Sequence, residues 1–187
     1  MSHYPESLPR EATLEHVFRA FPSGVRPLME LHDAILREEG PLPVADREMI
    51  AGYVSSLNAC QYCYGAHRLM AQAFGLDPDR MERLVKEGPE AAGLGREWGP
   101  LLAYVAKLTR TPEDIIWADA DAVYQAGWSE AVFDQVTRIT ALYAFMNRLV
   151  MGAGLTPKAA YTAPRAADLK VRRVSGYVDW ATKAGLI

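Results

Sequence analysis

Only two cysteines occur in 187 residues, at positions 60 and 63. A cysteine count this low excludes the disulfide framework of a small secreted domain. A bridge between the two would also close too short a loop to stabilise the fold much. Histidine is scarce as well: His3, His16, His32 and His67 are all there is, and with two cysteines they make a four-coordinate structural zinc site a minor reading. No run reaches the roughly 18 consecutive apolar residues that a bilayer span needs. The longest apolar block, around Ile139 to Met146, reads as a buried helix. The first twenty residues carry charges throughout and lack an apolar signal region, so a cytoplasmic chain is expected. Excess charge of one sign is missing too. Twenty basic and 23 acidic residues leave a net charge of −3, which argues against a nucleic-acid partner. The cluster Lys170-Val171-Arg172-Arg173 reads as a solvated face.

Strand signals are lacking. No segment alternates with period two, and the hairpin dipeptides Asn-Gly and Asp-Gly do not occur. There is no glycine-rich phosphate loop and no haem or flavin signature, so no cofactor is expected. Half of the chain is apolar, enough for one all-α domain with a substantial core. Residues 1–24 read as an N-terminal arm with at most two helical turns, 25–155 as a helical core, and 156–187 as a tail. The tail carries Tyr177 and Trp180, and is expected to pack on the core or on a neighbouring subunit.

Within the core, Leu28, Leu31, Ile35 and Leu36 recur at helical spacing between 25 and 39. Asp46 is a candidate N-cap for a helix ending at Leu57, and Asn58 interrupts it. The next helix starts at about Cys60 and closes on Gly75, a C-terminal glycine. Further helices are expected from Asp77-Pro78 to Gly88, over 101–108 and over 117–127. Ser129 caps the longest one, whose stretch 139–146 is apolar nearly all round and belongs at the centre of the fold or between subunits.

The chemistry concentrates in DREMIAGYVSSLNACQYCYGAHRLMA, residues 46–71. At about 100° per residue, Cys60, Cys63 and His67 project from one arc of about 60°. The cysteines fall at a helix start, where free N–H groups and the helix dipole favour an anion. An imidazole one turn on from Cys63 lowers a thiol pKa further, and the thiolate is the nucleophile. Glu48, on the preceding helix, reaches His67 or a water as proton acceptor if the two helices pair as a hairpin. Tyr62 is read as packing or a gate. Two buried small hydrophobes, or an open three-ligand zinc site from Cys60, Cys63 and His67, are the competing readings. Arg148 reads as a cation near a helix C-terminus.

Glu48, then Cys60-Gln61-Tyr62-Cys63, then His67 resembles the signature of AhpD-like alkylhydroperoxidases in the carboxymuconolactone decarboxylase superfamily, with the peroxidase-related branch the most similar. LLAYVAKLTRTPEDI, ADADAVYQAG and ALYAFMNRL extend the likeness over about Val25 to Leu155. The resemblance implies an AhpD-like helical bundle with the CxxC at the start of a central helix. It also implies a homo-oligomer that reduces hydroperoxides through a Cys60–Cys63 disulfide, with an external thiol or dithiol as reductant and no prosthetic group. The best-known members carry histidine immediately before the second cysteine, where this chain has Tyr62. A relay through that histidine does not carry over; Glu48 and His67 do. Cys63 is expected to attack, because His67 lies one turn away, with Cys60 resolving; the helix dipole alone favours Cys60. The alternatives are a redox-responsive scaffold without rapid turnover and a lactone decarboxylase-like enzyme, whose chemistry requires no cysteine pair.

Overall fold

A computed structural model describes residues 5–157 and 175–187. The described residues contain no strand. In chain order the helices are α1 (Leu14–Ala20), α2 (Val25–Leu36), α3 (Val44–Leu57), α4 (Gln61–Ala73), α5 (Arg80–Glu87) and α6 (Trp98–Arg110). A 3-10 turn (Pro112–Asp114), α7 (Trp117–Gln125) and α8 (Glu130–Gly152) follow. The chain is helical again over 175–183. Lys170 to Arg173, Pro164 and Val174, which the sequence reading also singled out, lie outside the described residues.

The hub is α3, which lies against α4 as a hairpin and also packs on α8, with α5 and α6 beside it. Its sequence explains the role. Met49, Ile50, Ala51 and Val54 are buried together with Arg47, Glu48 and Ser55, so α3 has almost no solvent face. Gly52 lets the layers close. A Cβ there would collide with the Met81 methyl of α5 and stand 3.4 Å from the Cβ of His67 on α4.

The joint between α3 and α4 places the cysteines. Asn58 caps α3, and Ala59 follows with φ = +56°. Ala59 N–H donates to the Ser56 carbonyl at 3.0 Å and Cys60 N–H to the Ser55 carbonyl at 2.9 Å. These are the two bonds of a Schellman ending, with alanine where glycine is usual. The left-handed backbone costs an alanine about 1 kcal/mol. Cys60 therefore finishes one helix and caps the next, and α4 starts at Gln61.

Several elements follow their sequence signals. Gly75, at φ = +98°, ends α4, with Leu76 N–H donating to the Ala71 carbonyl at 3.0 Å. Ser129 Oγ accepts from the Val132 N–H at 3.3 Å and opens α8. Others start elsewhere than predicted. Pro43, not Asp46, precedes α3, which begins at Val44, so Asp46 falls in the first turn. The sequence places α6 from Leu101; it begins at Trp98, because Pro100 in a first turn forfeits no intrahelical bond. Leu31 points out of α2, 45 % exposed, while Met29 and His32 point in. On α8, Ile139, Leu142, Tyr143 and Met146 are buried but Phe145 is 54 % exposed.

The C-terminal helical stretch packs on α2. Both Asp33 carboxylate oxygens accept from its backbone, Oδ1 from Tyr177 N–H at 2.6 Å and Oδ2 from Val178 N–H at 2.9 Å. Gly176 has φ = +81°, and a Cβ there would stand 2.7 Å from Asp33 Oδ1, so the clamp needs glycine. Tyr177 and Trp180 are buried as a result.

Candidate active site

Five parts of the chain converge on one buried cluster. The end of α2 brings Arg37, α3 brings Glu48, and α4 with its cap brings Cys60, Cys63 and His67. Tyr143 and Asn147 come from α8, and Tyr177 from the C-terminal segment. All four residues singled out from the sequence, Glu48, Cys60, Cys63 and His67, lie within this cluster and are buried.

Glu48 is fully enclosed, and each of its oxygens meets a partner. Oε2 lies 2.6 Å from His67 Nδ1, and Oε1 lies 2.6 Å from Arg37 Nη2. Burial alone would push this carboxyl up. The Arg37 guanidinium and the His67 imidazole outweigh it and hold Glu48 down at about 2. Glu48 is thus an anion at any physiological pH. It fixes Nδ1 of His67 as the bonded nitrogen and leaves Nε2 for proton exchange. Arg37 is held as a cation by the reciprocal effect: burial lowers it, and Glu48 and Tyr177 more than restore it. Its guanidinium lies 4.8 Å from the Tyr177 ring centroid and 5.0 Å from that of Phe74.

The two sulfurs are 2.8 Å apart, as free thiols. Cys60 is shifted down from a normal thiol. The hydrogen bond it shares with the Cys63 thiol is the largest cause. Burial opposes the shift, and the backbone N–H of Cys63, the Asn147 carboxamide and the backbone N–H of Tyr62 reinforce it. Asn147 is itself tied down: its Nδ2 donates to Ser55 Oγ at 3.0 Å, and its Oδ1 accepts from Asn58 Nδ2 at 2.9 Å. The free backbone donors of the α4 start thus serve a sulfur anion.

A small cleft of about 40 Å³ opens onto this cluster, lined by Cys63, His67, Tyr62, Met70, Tyr143 and Tyr177 among others. One water needs roughly 10–15 Å³ on such a measure, so the cleft admits a small polar group with a short apolar attachment. Cys63 lines it and Cys60 does not. Tyr62 is buried, and its hydroxyl accepts from the Leu14 N–H at 3.1 Å, tying α1 to α4. That contact fits packing. Arg148 is exposed and donates to the Ala144 carbonyl at 2.6 Å, away from the cluster. Arg37 and Asn147 were not legible as site residues in the sequence. Among the described residues no group of three or more His, Cys, Asp or Glu is arranged to hold a metal ion. No described helix is long and apolar enough to cross a membrane.

The family model for the carboxymuconolactone decarboxylase family matches residues 22–106, a segment that contains Glu48, both cysteines and His67. The likeness in fold extends beyond that segment. An uncharacterized peroxidase-related protein from Silicibacter sp. TM1040 superposes with a TM-score of 0.72 at 25 % identity, over 80 % of this chain and 78 % of that one. A second solved structure, described as an alkylhydroperoxidase AhpD core and peroxidase-related protein from Ralstonia eutropha JMP134, gives a TM-score of 0.68 at 24 % identity, over 74 % and 72 % of the two chains. Comparison with curated proteins gives no match. The described residues form an all-helical, AhpD-like fold, with the CxxC at the start of a helix.

Proposed function

We propose that this protein is a thiol-dependent peroxidase that reduces small hydroperoxides through a Cys60–Cys63 disulfide. One observation carries the reading. Two free thiols lie 2.8 Å apart, and one of them faces a cleft shared with an imidazole whose other nitrogen is bound by a buried carboxylate.

The geometry supports the following cycle. His67 Nε2 takes one proton from the thiol pair, and the remaining proton is shared by the two sulfurs. At rest the charge favours Cys60. When that proton moves from Cys63 to Cys60, the thiolate is delivered to the sulfur that faces the cleft. Cys63 attacks the terminal peroxide oxygen and becomes a sulfenic acid, while the alkoxide leaves and takes the proton from His67. Cys60 then condenses with the sulfenic acid, releasing water and forming the disulfide. An external dithiol reduces the pair by exchange. In this cycle Glu48 orients His67 and stabilises its cation. Its carboxyl, held at about 2, favours this role over the direct proton acceptance expected from the sequence.

The apolar faces support assembly with a second copy of the chain. Phe21 of the α1–α2 joint, Leu31 of α2 and Phe145 of α8 are 51 %, 45 % and 54 % exposed. They border two grooves of about 390 and 510 Å³. Neighbouring large apolar groups left in water mark an association surface.

The deciding experiment mixes reduced protein with a slight excess of an alkyl hydroperoxide and counts thiols against time. Loss of two thiols, with one internal disulfide, at least about 100-fold faster than free cysteine is expected; a pre-organised base and anion site supplies acceleration of that order. The Cys60→Ser variant should stop at a trappable sulfenate on Cys63. Oxidation no faster than free cysteine would remove the peroxidase reading, and a sulfenate on Cys60 of Cys63→Ser would reverse the order of attack.

A further inference from the structure

One buried residue of the cluster has no part in the cycle above. Asn147 of α8 is wholly closed to solvent, and so is Ser55 of α3 beside it. A carboxamide in that position needs its polar atoms engaged, and the network fixes which end points where. Ser55 Oγ gives its single proton to the Ala51 carbonyl at 2.8 Å, so it accepts from any other partner. It accepts from Asn147 Nδ2 at 3.0 Å. Asn147 Oδ1 is the other end, and it takes a hydrogen bond from Asn58 Nδ2 at 2.9 Å. Turning the amide round would set oxygen against oxygen at Ser55.

The same carboxamide is hydrogen-bonded to the Cys60 side chain, and the bond favours the thiolate, as a donor does. One N–H of Nδ2 goes to Ser55; the second is the donor to sulfur. The two sulfurs differ in access as well. Cys63 lines the cleft, and Cys60, 1 % exposed, does not. A thiol that enters the cleft therefore meets Cys63, and Cys60 is the sulfur that must depart.

Resting on the Cys60–Cys63 cycle proposed above, we infer that Asn147 is a catalytic residue of its reductive half, holding the Cys60 sulfur as the leaving thiolate when the disulfide is opened. An external dithiol enters as a thiolate and attacks Cys63 Sγ. The S–S bond breaks and its electron pair goes to Cys60 Sγ, where the Asn147 N–H meets the developing charge. Cys63 is left in a mixed disulfide with the donor. The donor's second thiolate then closes on its own first sulfur, and Cys63 departs as a thiolate. The donor ends oxidised to a disulfide. The two protons it loses return one to the sulfur pair and one to His67. A thiol that is a better anion leaves faster, and a fixed dipole serves best where charge develops. In the peroxide step the same bond gives no help, because the sulfur that attacks is Cys63.

The test is Asn147→Leu, close in size and without a donor; the Asn58 amide it strands is half-buried and can turn to water. The disulfide is prepared with diamide, independently of peroxide chemistry, and its opening by dithiothreitol is timed. Reduction should slow by about 10-fold, the effect of one hydrogen bond lost from an anion. Consumption of tert-butyl hydroperoxide by the reduced variant should change by less than about threefold, since the Cys63 thiolate is not the one deprived. Equal slowing of both steps would show a structural effect and overturn the inference, as would reduction at the parent rate. If Asn147→Leu lacks a cooperative melt, heteronuclear NMR of the parent decides. The Asn147 side-chain N–H signals should move with the thiolate titration, and signals that stay put overturn the inference. A parent that consumes peroxide no faster than free cysteine removes the peroxidase reading and leaves the timed reduction to decide this one. A fast parent whose Asn147→Leu form is reduced at full speed overturns this one alone.

Discussion

At the scale of single residues, the site is a buried charge balance. Glu48 is an anion with no solvent contact, and its ionisation depends first on Arg37 and then on His67. Removing the cation strands the carboxylate. Arg37→Met should therefore destabilise the fold by about 3–5 kcal/mol at neutral pH, the range seen when one partner of a buried pair is deleted. The pH dependence has a defined sign. Glu48 is depressed from 4.5 to about 2 on folding, so its contribution is fully present above pH 4.5 and fades as pH falls towards 2. The gap between parent and Arg37→Met in denaturant melts should narrow over that window; a gap independent of pH would show that Arg37 acts by packing on Phe74 and Tyr177 alone. His67 was readable from its place one turn after Cys63; Glu48, which spacing alone left open, was readable through the resemblance. Arg37 was not, because it opens the run Arg37-Glu38-Glu39, which reads as solvated charge at a helix end. Asn147 was hidden in the same way beside Arg148. Nothing local in the sequence separates a polar residue that faces solvent from one buried by a helix far along the chain.

At the scale of elements, the helices were legible where their ends carry strong local chemistry. Gly75 and Ser129 mark their boundaries because a positive φ and a side-chain cap are encoded by one residue each. The start of α6 was misplaced because Pro100 looks like a breaker while being harmless in a first turn. The α3–α4 joint was read only as an interruption at Asn58, since an alanine in the left-handed region has no sequence signature. The Asp33 clamp on the C-terminal stretch has no local sequence signal either, because its partner Tyr177 lies 144 residues further on. Asp33→Ala should cost about 1–2 kcal/mol, like the loss of a good helix cap. Amide hydrogen exchange should speed up over 177–183 and stay slow in α3. Uniform acceleration across the molecule would mean that the clamp supports the whole core and not only this segment.

At the scale of the whole molecule, the apolar stretch of α8 was ambiguous from sequence between the protein interior and a subunit contact. The structure divides it. Ile139, Tyr143 and Met146 turn inward, while Phe145 turns out beside Leu31. The parent protein is expected to sediment as a dimer or larger assembly, and Phe145→Glu to sediment as a folded monomer, since the position is half-exposed in the single chain. A parent that is monomeric at micromolar concentration would dismiss the association surface.

The gap at Gly52 has a consequence in terms of inheritance. Any replacement there adds a Cβ into space that the Met81 methyl already fills, with His67 close behind. The Met81 end is flexible and can withdraw; the backbone that carries His67 cannot. Positions 52 and 81 therefore share one volume. A lineage that enlarges the first must either make the Met81 end withdraw or shorten that side chain, and both routes must keep His67 against Glu48.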